Sequence, residues 1–90
     1  MYPNYTNFIT HNEEEFNFLM RHLERLGHVW ETGDVPTYYI DRSDYWTVME
    51  YSISSNGNIL CHFSWREGTY ILVEDLIKAT KKPSIFRNKE

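Results

Sequence analysis

Between Asn12 and Gly27 the sequence marks both ends of a helix, and that segment constrains everything around it. Asn12 is followed by Glu13-Glu14-Glu15. Asn at such a place accepts a hydrogen bond from a free first-turn amide, Glu15 stands at the capping-box position, and all three carboxylates suit the positive end of the helix dipole. Phe16, Leu19, Met20, Leu23 and Leu26 then recur at helical spacing as one apolar stripe, with Arg21, His22, Glu24 and Arg25 largely off it. Gly27 ends the run, because a residue without Cβ enters the left-handed region at little cost. A helix with one apolar stripe needs a second layer to pack on.

The rest of the chain offers strands for that layer. Tyr5 to Ile9 is rich in β-formers and follows Pro3, which suits a first strand at a sheet edge. His28-Val29-Trp30 leaves the helix stop as a short strand or extended exit. Thr32-Gly33-Asp34 reads as a turn, Pro36 favours an extended segment, and Tyr38-Tyr39-Ile40 reads as β. Asp41-Arg42-Ser43-Asp44 is a polar turn before a longer alternating strand, Tyr45 to Ile53. Asn56-Gly57 signals a hairpin, Ile59 to Trp65 returns, Arg66-Glu67-Gly68 turns, and Thr69 to Val73 is a further strand, giving a three-strand meander. Glu74 and Asp75 open a short helix to Ala79 or Thr80, stopped by Lys81-Lys82-Pro83. The expectation is a single α+β domain over residues 1–80 in the order β-α-β-β-β-β-α. It comprises a curved antiparallel sheet of four or five strands on one main helix and a short second helix, with residues 81–90 as a frayed basic tail.

A chain of 90 residues suits one small domain. At this size only roughly 60–65% of the unfolded surface is buried, so aromatic bulk matters, and Phe, Trp and Tyr make up 17% of the residues. Charge is uneven. Residues 1–77 carry twelve acids and four bases, a net −8, whereas residues 78–90 carry five bases and one acid, a net +4. An acidic body discourages general attraction to nucleic acid, while the basic tail permits a local contact. A single cysteine, Cys61, excludes an internal disulfide and fits a reducing compartment, and no apolar run approaches the roughly 18 residues of a membrane span. The expected setting is the cytoplasm.

Signatures of catalysis are missing. His11, His22, His28 and His62 are scattered without metal-ligand spacing, and neighbouring Cys61 and His62 would point to opposite faces of a strand. Cys61 falls on the alternating apolar face, where a thiol is inert. Glu13, Glu14 and Glu15 are accounted for by the helix dipole. The four glycines, Gly27, Gly33, Gly57 and Gly68, each fall at a turn or cap, so no phosphate-binding loop is formed. No enzyme, cofactor or metal is expected.

Aromatics remain as the distinctive feature. Tyr38, Tyr39, Tyr45, Trp46, Tyr51, Phe63, Trp65 and Tyr70 all fall on the expected sheet, and one helix covers one face only. Stacking platforms for single strands interleave aromatics with Lys and Arg. Here the neighbours are Asp34, Asp41, Asp44 and Glu50, with Arg42 and Arg66 as the only bases. That mixture suits a protein partner or a homodimer better than phosphate. Asp34, Tyr38, Tyr39, Asp41, Asp44, Tyr45 and Trp46 concentrate aromatic and acidic groups around two turns and are the candidate partner-binding residues.

The run Leu26-Gly27-His28-Val29-Trp30-Glu31-Thr32-Gly33, behind a strand and an acid-started helix and ahead of a meander, resembles small accessory proteins of tailed bacteriophages. The resemblance covers residues 7–78 and transfers no catalytic residue. It implies an early host-takeover or counter-defence role, as in the anti-CRISPR proteins: inhibition of a bacterial host defence or regulatory protein by occlusion, with partial imitation of nucleic acid by the acidic body. Two alternatives stand beside it. One is a small single-stranded nucleic-acid binder using sheet aromatics and the basic tail; the other is a ligand-sequestering homo-oligomer with an aromatic pocket.

Overall fold

The computed structural model describes residues 1–42, 44–61 and 67–80. In chain order these form β1 (Asn7–Ile9), α1 (Glu13–Arg25), β2 (Glu50–Ile53), β3 (Ile59–Cys61) and β4 (Tyr70–Leu72), followed by a second helix, α2, over residues 73–80. Two 3-10 turns, Pro36–Tyr39 and Tyr45–Thr47, lie between α1 and β2. The fold is α+β, with one main helix on a four-stranded sheet and a shorter helix after it.

The helix ends form as their residues dictate. Asn12 Oδ1 accepts the Glu15 N–H at 2.8 Å. The Glu15 carboxylate reaches one residue further than a capping box requires and accepts the His11 N–H at 2.8 Å. At the other end Gly27 has φ +92°, its N–H donates to the Glu24 carbonyl at 3.0 Å, and the His28 N–H donates to the Leu23 carbonyl at 3.1 Å. Those two bonds satisfy carbonyls that the helix leaves open. Phe16, Leu19, Met20 and Leu23 are buried against Phe8 of β1, Tyr51 and Ile53 of β2, and Ile59 of β3; Trp30 and Val73 complete the core. Each such aliphatic or Phe side chain contributes about 1.5–3 kcal/mol on full burial.

The sheet departs from the expected meander. Its order is β3-β2-β1-β4, with β2 antiparallel to both β1 and β3 but β4 parallel to β1. It is therefore mixed rather than wholly antiparallel, and β1 lies inside the sheet, not at its edge. Having two free sides, β1 takes β2 on one and β4 on the other, and the Asn7 N–H donates to the Thr69 carbonyl at 2.8 Å. The β2–β3 hairpin forms as read, closed by the Gly57 N–H on the Ser54 carbonyl at 3.0 Å with Gly57 at φ +88°.

Two expected strand segments are 3-10 turns instead. Tyr38 and Tyr39 belong to the turn Pro36–Tyr39, where Pro36 sits at its start with φ already set and Glu24 of α1 accepts the Thr37 N–H at 3.1 Å. The expected strand Tyr45–Ile53 begins only at Glu50. Its first part is the turn Tyr45–Thr47, tied by the Thr47 N–H and hydroxyl to the Asp44 carbonyl, and Met49 at φ +75° breaks the alternation. Of the expected strand Ile59–Trp65, residues 59–61 are strand, whereas Phe63, Trp65 and the basic tail 81–90 lie outside the described residues.

The sheet face away from the main core aligns Asn7, Ser52, Leu60 and Tyr70. Asn7 and Ser52 are fully buried there, and the Ser52 hydroxyl donates to Asn7 Oδ1 at 2.6 Å.

Candidate functional site

The connection between α1 and β2 gathers the sequence-selected residues, and it does so off the sheet. It starts from Trp30, which is buried and forms an isolated parallel bridge with Ile59 beside β3. The Gly33 N–H donates to the Trp30 carbonyl at 2.8 Å, and the Trp30 N–H donates to the Asp34 carbonyl at 2.9 Å, closing a tight turn. The Asp34 carboxylate accepts the Thr32 hydroxyl at 3.0 Å and the Tyr39 hydroxyl at 2.8 Å. Asp34 is thereby an internal brace more than an open charge.

Tyr39 is held from two sides. Its hydroxyl is on Asp34, and its ring meets Trp30 edge-on at 5.4 Å between centroids. Tyr38 stands edge-on to Tyr39 at 5.1 Å and is 48% exposed. Trp30, Tyr39 and Tyr38 thus form a relay of rings running from the core to solvent. Edge-to-face pairs of this kind contribute about 0.5–1.5 kcal/mol beyond their area. Asp41 is exposed at φ +65°, a conformation that Asp tolerates better than most residues, and the chain turns there so that the Arg42 guanidinium lies 4.8 Å from the Tyr38 centroid.

Asp44 and Trp46 belong to the next turn, with Asp44 exposed and Trp46 36% exposed. The Tyr45 side chain lies outside what the structure describes. Both 3-10 turns pack against α1. The structure thus joins Asp34, Tyr38, Tyr39 and Arg42 into one constellation, with Asp41 at its turn and Asp44 and Trp46 a few residues on. Among the described residues, the exposed rings Tyr38 and Trp46 sit on turns, Tyr51 is in the core, and Tyr70 is a sheet aromatic left open. Sequence reasoning missed Arg42 as a member, and likewise Val35 and Met49, which are also exposed. The spacing Tyr38 to Arg42 was the available signal, since four residues across a turn return a side chain to its start.

Electrostatics favour cations here. Residues 31–50 contain Glu31, Asp34, Asp41, Asp44 and Glu50 against Arg42 alone, a net −4. Beside this segment a hollow of about 140 Å³ is lined by Trp30, Glu31, Thr32, Tyr39 and Cys61. That is below the roughly 300 Å³ at which small-molecule pockets begin. Burial, reinforced by the Glu31 carboxylate, pushes the Cys61 thiol up to about 11, so it is a thiol and not a nucleophilic thiolate at neutral pH. Among the described residues no group of His, Cys, Asp and Glu could hold a metal ion, and no helix is long and apolar enough to cross a membrane. Compared with protein-family models, curated proteins and solved structures, the chain matches none.

Proposed function

We propose that this chain is a non-enzymatic binding module that engages a protein partner through the 34–49 connection. The observation that carries the reading is the Tyr38 ring, half exposed yet braced through Tyr39 onto buried Trp30 and Asp34. A rigid aromatic offered to solvent loses little conformational entropy on binding, and aromatics dominate the energetics of protein interfaces. Exposed Val35, Trp46 and Met49 in the same connection extend the apolar area, and the surrounding carboxylates favour a basic partner surface and faster association with it. Phosphate would meet five carboxylates and one guanidinium, which argues against nucleic acid as the occupant.

The resemblance to phage accessory proteins adds the partner's origin: a bacterial host protein of defence or regulation, inhibited by occlusion. The test is affinity capture from bacterial lysate with the wild-type chain and with Tyr38→Ala plus Trp46→Ala. A stoichiometric partner retained by the first and lost by the second, at unchanged circular dichroism, supports the reading. Equal capture by both removes the 34–49 connection from the interface.

A further inference from the structure

Arg42 is exposed, and its guanidinium lies over the outer face of Tyr38 at 4.8 Å. Among the described residues no carboxylate forms an ion pair with it, although Asp41 precedes it and Asp44 follows two positions on. Among those residues, the Tyr38 ring is what holds the guanidinium in place. An exposed cation–π contact of this kind is worth only about 0.5–1 kcal/mol, so thermal motion vacates it often. The ring beneath is fixed, because Tyr38 stands on Tyr39, which is anchored by Asp34 and Trp30. The segment around it keeps a net −4 even with Arg42 counted.

We infer that the outer face of Tyr38 is a guanidinium seat: an arginine of the protein partner displaces Arg42 from it, in a segment where Asp41 and Asp44 flank Arg42 in sequence. The inference rests on the protein-binding reading above and names its partner chemistry. Arginine fits better than lysine, because a planar guanidinium stacks on the ring while its edge donates to a carboxylate, whereas an ammonium is more strongly hydrated and offers a point charge. Arg42 then acts as a built-in competitor that keeps the ring covered until a better-placed arginine arrives.

The experiment titrates the isotopically labelled chain with two capped glycine pentapeptides, one with a central arginine and one with a central lysine, at low ionic strength. Chemical shifts of the Tyr38 ring and of the residue 41–44 amides are followed. The arginine peptide is expected to bind more tightly than the lysine peptide, and Arg42→Ala to tighten the arginine peptide about two- to fivefold, the loss of one such contact as competitor. Tyr38→Ala should erase the arginine preference at unchanged circular dichroism. Equal affinity for the two peptides, or no gain with Arg42→Ala, overturns the inference. The two readings fail separately. A captured partner lost with Tyr38→Ala plus Trp46→Ala but indifferent to Arg42→Ala sinks the guanidinium seat alone, whereas capture indifferent to the double variant sinks the interface.

Discussion

Gly68 runs against the backbone of Tyr5 so closely that a Cβ on it would lie 1.8 Å from the Tyr5 carbonyl oxygen and 2.9 Å from the carbonyl carbon. This contact is what lets the chain enter β4 alongside β1. Gly68→Ala must therefore push the incoming strand off β1 or distort the segment around Tyr5, at a cost of about 3 kcal/mol, the upper end for overpacking. Gly33→Ala is the control. Gly33 has φ +94° but nothing within 4 Å, so its cost is the left-handed penalty alone, about 1 kcal/mol. Urea midpoints of the two variants, read with an unchanged m-value, check the order; equal costs would place the strand entry elsewhere.

Asn7 and Ser52 share a buried hydrogen bond on the back of the sheet, and Asn7 Nδ2 also donates to the Tyr5 carbonyl at 3.3 Å. Removing the hydroxyl leaves a buried acceptor with less compensation, so Ser52→Ala is expected to cost about 1–2 kcal/mol. Asn7→Ala should cost more, because both ends of its amide are engaged. A double-mutant cycle on urea midpoints should give a coupling of about 1 kcal/mol between the two positions. A coupling indistinguishable from zero would mean the pair is incidental to sheet stability.

These two contacts indicate what was legible in the sequence. Asn12, the i, i+3, i+4 stripe and Gly27 fixed α1 because helix signals are local, and Asn56-Gly57 gave its hairpin for the same reason. The partner of β4 was not legible. Gly68 reads as a turn glycine along the chain, whereas its use here is close approach to a residue far away in sequence. Tyr38-Tyr39 reads as β by composition, yet Pro36 and the Glu24 carboxylate across the fold make it a 3-10 turn. Of the candidate residues, grouped around two turns for their aromatic and acidic side chains, Tyr38, Tyr39 and Trp46 read as strand by composition and lie in 3-10 turns. Asp34 and Tyr39, read from the sequence as contact residues, also brace Tyr38.

That support has its own test. Tyr39→Phe deletes the hydroxyl on Asp34 but keeps the ring on Trp30 and under Tyr38. A hydrogen bond to a charged acceptor contributes about 1.5–3 kcal/mol, less where water competes, so the loss of stability should fall near 1 kcal/mol. Amide hydrogen exchange should rise across residues 30–42 and stay unchanged in α1. Uniform acceleration over the whole chain would show that the brace is not local to the connection.

Cys61 should be slow toward thiol reagents. With its thiol raised to about 11 by burial and then by Glu31, the thiolate is a minor species at neutral pH. Its reaction with a disulfide reagent at pH 8 should lag far behind that of the urea-unfolded chain, and Glu31→Gln should speed it modestly. The sign for stability follows from the same shift. Between pH 9 and 11 the unfolded chain gives up the thiol proton and the folded chain keeps it, so the urea midpoint should fall as pH rises through that window. A native rate matching the unfolded one would rule out the burial.

At acid pH the sensitive point is His22. Its Nε2 shares a 2.7 Å hydrogen bond with the Tyr2 hydroxyl, while the His28 ring, buried nearby, accepts the Tyr2 N–H on Nε2 at 3.1 Å and directs Nδ1 to the Gly57 carbonyl at 2.9 Å. Two imidazoles thus hold the same residue, Tyr2. Burial lowers the His22 pKa first, and electrostatic coupling to Arg25 and then to His28 lowers it further. The unfolded chain takes up this proton near 6.5, whereas the folded chain resists it, so stability falls as pH drops below about 6.5 and levels off once the folded group is protonated too. Arg25→Ala removes one of the opposing charges and should move the His22 titration, followed by its imidazole proton resonances, back toward 6.5 and flatten the decline. His22→Gln should remove this part of the slope while leaving a polar partner for Tyr2. A His22 resonance titrating at or above 6.5 in the wild-type chain would overturn the assignment.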